Sequence, residues 1–194
     1  MKPQARGRTM RQQREDGPVG GEKGGRGVDG GSGPSPGAQG GPCVLALDLG
    51  ISTGWAMRLS SGVIVSGSQN FRHGRFDGGG MRFLRFQGWL QEIRSHGITR
   101  VAYEEVRKHK GVDASHVYGG FQAHLTAFCE QYQIPYEGVP VGTIKLHATG
   151  KGNASKNLVI AAMRLRGYNP ADDNEADALA LLHCVLSQLK TIKE

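Results

Sequence analysis

Apolar residues recur along this chain with two periods, one of strands and one of helices, after an opening stretch that has almost none of them. Val44, Leu45, Ala46 and Leu47 form a dense apolar run that closes on Asp48, Leu49 and Gly50. A run this dense predicts a strand buried on both faces. Gly54 to Leu59 and Val63 to Ser68 predict two more strands. The short Ser60-Ser61-Gly62 connection makes the three an antiparallel meander. Residues 70–80 are polar and Gly-rich, with Arg72, His73 and Arg75, and read as a loop.

Met81 to Ser95 places Phe83, Phe86, Leu90 and Ile93 at helical spacing, with Gly97 as the stop. Arg100 to Glu105 is a fourth strand ending in two acids. Ser115 to Tyr132 repeats the helical pattern through Val117, Phe121, Leu125 and Cys129. Gly119-Gly120 inside it costs about 1 kcal/mol per residue, so a close approach by another backbone or a ligand is expected there. Tyr136 to Val141 is a fifth strand, and Pro140 assigns it to an edge. A loop from Thr149 to Ala154 leads into a helix over 155–166, stopped by Gly167, and a final helix over 174–189. The order β-β-β-α-β-α-β-α-α predicts an α/β fold: one five-stranded mixed sheet with helices on both faces.

Composition narrows the class. The 194 residues suffice for one ordinary domain, which the pattern places at 43–194. Residues 1–42 are rich in Gly and nearly devoid of apolar side chains, and are expected to be a disordered basic tail. It is either passive or in loose contact with nucleic acid. The formal net charge of +7 favours a polyanionic partner, nucleic acid before membrane. Cys43, Cys129 and Cys184 form no metal-ligand spacing and imply buried thiols in a reducing, cytoplasmic compartment. No apolar run reaches the roughly 18 residues of a membrane span, and the N-terminus lacks the apolar core of a secretory signal.

The acids carry the chemistry. Asp48 ends the first strand, where a carboxylate either starts the turn or binds a cation. Glu104 and Glu105 end the fourth strand, and alternation lets only one of them share a site with Asp48. The last helix opens Asp172-Asp173-Asn174-Glu175-Ala176-Asp177. Asp172 and Glu175 fit a capping box, whereas Asp177 lies deeper, ahead of the apolar Ala178 to Leu182 run. Asp173 and Asp177 share a helical face. An oxygen-only site of this kind suits Mg²⁺ or Mn²⁺ rather than zinc. Two such ions can hydrolyse a phosphodiester without a protein nucleophile.

Leu47-Asp48-Leu49-Gly50 with Thr53-Gly54-Trp55-Ala56, Ala102-Tyr103-Glu104-Glu105-Val106, and Glu175-Ala176-Asp177-Ala178-Leu179-Ala180 together resemble the three acidic motifs of RuvC-type Holliday-junction resolvases. The phage-like members, with their ribonuclease H-like fold, are the most similar. The resemblance spans roughly residues 43–190. It implies that Asp48, Glu104 and Asp177 are catalytic metal ligands and that two Mg²⁺ or Mn²⁺ ions bind per site. It also implies a homodimer that cuts four-way DNA junctions symmetrically, leaving 5′-phosphate and 3′-hydroxyl ends.

The family carries a fourth acid where this chain has Asn174, and Asp173 is the expected substitute. Lys145 and Lys156 fall where the family has basic residues near the site, Lys156 against the scissile phosphate. Lys151, Arg107, Lys108 and Lys110 read as backbone-phosphate contacts. The alternatives are a nuclease of the same fold acting on flaps, hybrids or structured RNA, and an actin-like ATPase domain. The second needs a further domain for which the chain is too short.

Overall fold

The computed structural model describes residues 40–106 and 111–191. Residues 1–39 of the tail and the basic positions Arg107, Lys108 and Lys110 lie outside them. Five strands, β1 (Val44–Asp48), β2 (Ser52–Arg58), β3 (Ile64–Asn70), β4 (Arg100–Glu105) and β5 (Tyr136–Pro140), form one sheet in the order β3-β2-β1-β4-β5. β1, β2 and β3 are antiparallel neighbours, and β4 and β5 continue parallel to β1. The meander and the edge position of β5 are as expected, and β1 lies between β2 and β4. β5 carries Pro140 as its last residue, where no further ladder donor is needed.

Successive side chains on β1 enter two different cores. Val44 and Ala46 pack with Ile144, Val159, Met163 and Leu179, while Leu45 and Leu47 pack with Phe86, Phe121 and Leu125. The first core lies under α3 (Val141–Thr149), α4 (Lys156–Leu165) and α5 (Asp173–Thr191). The second lies under α1 (Met81–Arg94) and α2 (Val112–Gln131). α5 is apolar nearly all round from Ala176 to Val185 because the sheet covers one side and α3 and α4 the other.

Small residues on that face, Gly54, Ala46, Ala56 and Ala102, let α5 lie close to the sheet. The second core is aromatic: the Phe121 ring meets Phe83, Phe86 and Phe71 at centroid distances of 5.2, 5.1 and 5.9 Å. Phe121→Ala is expected to lower unfolding free energy by about 3–5 kcal/mol. A urea titration showing less than 1 kcal/mol would contradict this packing.

Two readings need correction. The stretch from Val141 to Thr149, given no element of its own in the sequence apart from its two ends, is the helix α3: it begins with Val141, Gly142, Thr143 and Ile144, all poor helix formers, so propensity gives no signal. Burial of Ile144 and Ala148 holds it, and Gly150 at φ +76° closes it. In α2 the close approach falls on Gly120 alone, and a side chain makes it. A Cβ at Gly120 would sit 2.4 Å from the Phe83 ring of α1, whereas Gly119 faces open space.

Candidate active site

Strand parity decides which acids meet. β1 pairs with β4 as Leu47 with Tyr103, so Asp48 and Glu104 occupy the next positions side by side at the carboxyl ends of parallel strands. Val44 and Ala46 face α5, so Asp48 does too. Ala102 faces α5, so Glu104 follows it, and Glu105 takes the opposite face. Between Glu104 and Glu105, the sheet therefore brings Glu104 to Asp48. The Tyr118 hydroxyl on α2 donates to the Glu104 backbone carbonyl at 2.7 Å and pins the strand end.

The start of α5 divides its acids into two jobs. Asp172 Oδ1 accepts the Glu175 backbone N–H at 2.8 Å and the Ser68 hydroxyl at 2.7 Å. Glu175, buried, accepts the Ser66 hydroxyl at 2.7 Å and the Ala171 N–H at 2.8 Å. This is the expected capping arrangement, with the Glu175 side chain reaching one residue further back than in a standard box. Ser66 and Ser68, which sequence reasoning passed over, tie the helix start to β3. A serine in an exposed strand gives no signal of such a partner.

Asp173 and Asp177 are left for other work, one helical turn apart. Asp173 is bound to the Lys156 ammonium at the start of α4. Asn174, at the position of the family's fourth acid, points its amide to Ser52 at 3.5 Å.

The acids raise one another. Burial, and then the charges of Glu104 and Asp177, hold the Asp48 carboxyl well above the usual range, against Lys156. Burial and Asp177 push Glu104 up to about 7, with Lys145 and Lys156 opposing. Burial raises Asp177 against the same two lysines. Asp173 is lowered by its bond to Lys156, and that bond in turn raises Lys156.

Six predicted site residues, Asp48, Glu104, Asp173, Asp177, Lys145 and Lys156, thus act on one another. Lys145 arrives on α3, the helix missed in the sequence. Lys151 lies in the exposed loop after α3, its N–H bonded to Thr149 Oγ1, and is not among the charges that shift the acids.

Among the described residues, no three Asp, Glu, His or Cys side chains close on one point as a formed metal site would. What the acids present is an oxygen-only set, partly buried, with more negative charge than the two lysines balance. A divalent cation fits that chemistry, because it would offset the burial and mutual repulsion that disfavour the charged forms of these carboxyls.

The turn between β1 and β2 is rigid: buried Thr53 donates to the Gly50 carbonyl at 2.7 Å. The loop after β3 leaves the sheet at the same end, since Asn70 pairs with Ser52. Phe71 anchors it in the core, and Arg85 pairs with Asp77 at 2.5 Å. Its tip presents Phe76, 95 % exposed, with Arg75 5.8 Å from the ring.

No family model matches the chain. A curated relative, the crossover junction endodeoxyribonuclease RuvC of Anaeromyxobacter sp. (strain Fw109-5), is 32% identical over 102 residues. These are 52% of this chain and 50% of that protein, so the chain spans about half the length of the curated relative it matches. Among solved structures, T. thermophilus RuvC in complex with a Holliday junction substrate superposes with a TM-score of 0.63. It is 19% identical, and the match covers 73% of this chain and 90% of that one. A second Thermus thermophilus RuvC structure gives 0.56 at 19% identity, over 72% and 90% of the two chains. These likenesses establish the fold: an α/β sheet of the ribonuclease H-like kind, as the motif resemblance implied.

Proposed function

We propose that this chain is a RuvC-type, metal-dependent endonuclease that resolves four-way DNA junctions by paired phosphodiester hydrolysis. One observation carries the reading: Asp48, Glu104 and Asp177 come from two adjacent parallel strand ends and one helix start onto a single face of the sheet, where burial and mutual repulsion hold all three carboxyls high. The curated relative's activity and the order of the three acidic motifs support it.

Asp48, Glu104 and Asp177 would hold Mg²⁺ or Mn²⁺, with Asp173 as a further ligand once Lys156 turns away. The bound metal supplies a water of lowered pKa and charge to offset the phosphate oxygens. The chain's own groups do the rest. Lys156, kept fully charged by Asp173, donates to the scissile phosphate and to the charge that grows on it in the transition state. Lys145, on α3, opposes the build-up of negative charge at Glu104 and Asp177. Lys151, with Arg107, Lys108 and Lys110, would contact the backbone phosphates outside the reacting centre. Two copies, one for each of the strands cut, match the two-fold symmetry of a junction.

Phe76 fits a base exposed at the branch point, since stacking on an aromatic ring tolerates any sequence. Phe76→Ala is expected to weaken junction binding by about 1–3 kcal/mol while leaving the melting temperature unchanged, because its ring touches little of the protein. Fluorescence anisotropy on a labelled junction measures it, and unchanged affinity would remove Phe76 from the interface.

The function itself is tested by offering labelled four-way junction, flap, duplex and RNA–DNA hybrid substrates with Mg²⁺ or with EDTA. Symmetric nicks confined to the junction, lost in EDTA, are expected. Cutting of flaps or hybrids in preference would shift the substrate, and cutting in EDTA would reject the metal site.

A further inference from the structure

The far end of the α5 face holds a feature that the nuclease reading does not use. A cavity of about 790 Å³ opens between the residues before β1, the end of β2, α3 and the last turns of α5. This volume lies within the range of small-ligand pockets. Arg58 marks its position: it pairs with Val44 at the opposite end of β1 from Asp48, roughly 13 Å along the strand. Lys190, also in the lining, is 13 residues beyond Asp177 on α5, about 20 Å away. The cavity is therefore separate from the acid cluster.

Its chemistry is consistent throughout. Arg58, Arg166 and Lys190 supply three permanent positive charges, and among the described residues the lining contains no Asp or Glu. Arg58 Nη1 donates to the Pro42 carbonyl at 3.0 Å, and Arg166 Nη2 to the His147 and Ala148 carbonyls at 3.3 Å each. These bonds orient the guanidinium groups while neutralising neither, and each uses one of its three nitrogens. Burial, with Arg166 next in effect, lowers both His147 and His183, which disfavours their charged forms. The negative end of the α5 dipole opposes an anion here by about half a charge, less than Lys190 alone returns. Ile64, Leu186 and Leu189 make the rest of the wall apolar.

We propose that this cavity binds a phosphorylated nucleoside, its phosphate on Arg58, Arg166 and Lys190 and its base against Ile64, Leu186 and Leu189. Guanidinium pairs suit phosphate by their planar, bidentate donors, and an apolar wall suits the face of a base. The choice of a nucleotide over another anionic amphiphile rests on the reading of the chain as a DNA enzyme. The site's existence does not.

The test uses full-length Asp48→Asn protein in EDTA, so that binding is measured without cleavage or metal. A fluorescent trithymidylate with a 5′-phosphate, the same oligomer without it, thymidine monophosphate and inorganic phosphate are titrated. Arg58→Gln and Lys190→Gln are expected to weaken the phosphorylated probes tenfold or more while junction cutting at saturating DNA stays unchanged in an Asp48 background. Arg166 is left intact because it also closes α3.

Tighter binding of the trimer than of the monophosphate assigns the site to a DNA strand, and equal binding assigns it to a free nucleotide. Both outcomes support the proposal. Three outcomes would overturn it: binding unchanged in both variants, binding of inorganic phosphate as tight as that of the nucleotides, or no binding by any probe. None of these bears on the junction assay, so failure here leaves the nuclease reading standing, whereas a failed junction assay removes the ground for a nucleotide but not for an anion site.

Discussion

Glu104→Gln is expected to abolish junction cutting and, in the absence of metal, to make the protein more stable. The loss of cutting follows from removing a negative ligand. A metal's charge stabilisation is worth several kcal/mol, so the rate should fall roughly 10³-fold or more. Asp48→Asn should do the same, with junction binding retained or tightened, because a charge that repels phosphate is gone.

The gain in stability follows from the raised carboxyl. Glu104 titrates near 7 in the folded protein against an ordinary value of 4.5. Between those two values the folded state holds a proton that the unfolded state releases, so stability falls as pH rises through the window and stays lower above it. The deficit amounts to at most about 3 kcal/mol, shared with the neighbouring acids. Glutamine cannot ionise. Its melting temperature should therefore exceed that of the unsubstituted protein by several degrees at pH 8 in EDTA, and match it near pH 5. Mg²⁺ should raise the melting temperature of the unsubstituted protein at pH 8 and barely move that of the variant. Equal melting temperatures at pH 8 would mean that Glu104 is not held against its neighbours in this way.

Gly54→Ala is expected to be the most damaging Gly→Ala change among the described residues. Gly54 pairs with Asp48 across β1 and β2, and a Cβ there would lie 1.9 Å from the Asn174 carbonyl oxygen and 2.9 Å from the Glu175 nitrogen. Both are backbone atoms of the first turn of α5, which Ser66 and Ser68 fasten to β3. No rotamer change can make room, so the helix start must move. The cost should reach or pass the upper end of the roughly 1–3 kcal/mol typical of overpacking.

The displaced turn carries Asp173 and Asp177, so metal-dependent cutting should fall further than stability alone accounts for. Gly119→Ala is the control: its Cβ meets nothing within 4 Å in the interior of α2, and it should stabilise by up to about 1 kcal/mol. Chemical denaturation of the two variants, with cutting rates measured well below the melting temperature, checks both parts. A Gly54→Ala protein as stable and active as the original would contradict the close seating of α5.

The dense apolar run of β1, the two-residue period of the strands and the helical spacing of α1 and α2 are local properties. They made the sheet, its meander and its covering helices legible from residue order. So was the division of labour at the start of α5, because a capping pair accounts for Asp172 and Glu175 and leaves Asp177 without a structural reason. α3 was not legible, since its first residues disfavour a helix and only the burial of Ile144 and Ala148 imposes one.

Strand alternation left Glu104 and Glu105 equally open and only the motif resemblance pointed to Glu104, because the choice depends on which face of β4 meets α5. The seating of Lys145 and Lys156 among the acids, and the gathering of Arg58, Arg166 and Lys190 around the far cavity, depend in the same way on helices packed across the sheet. Residue order alone settles which segments can form strands and helices and which acids lack a local partner. Which charges share a space is set by the packing of distant segments, because electrostatic coupling and burial depend on distances that chain order does not contain.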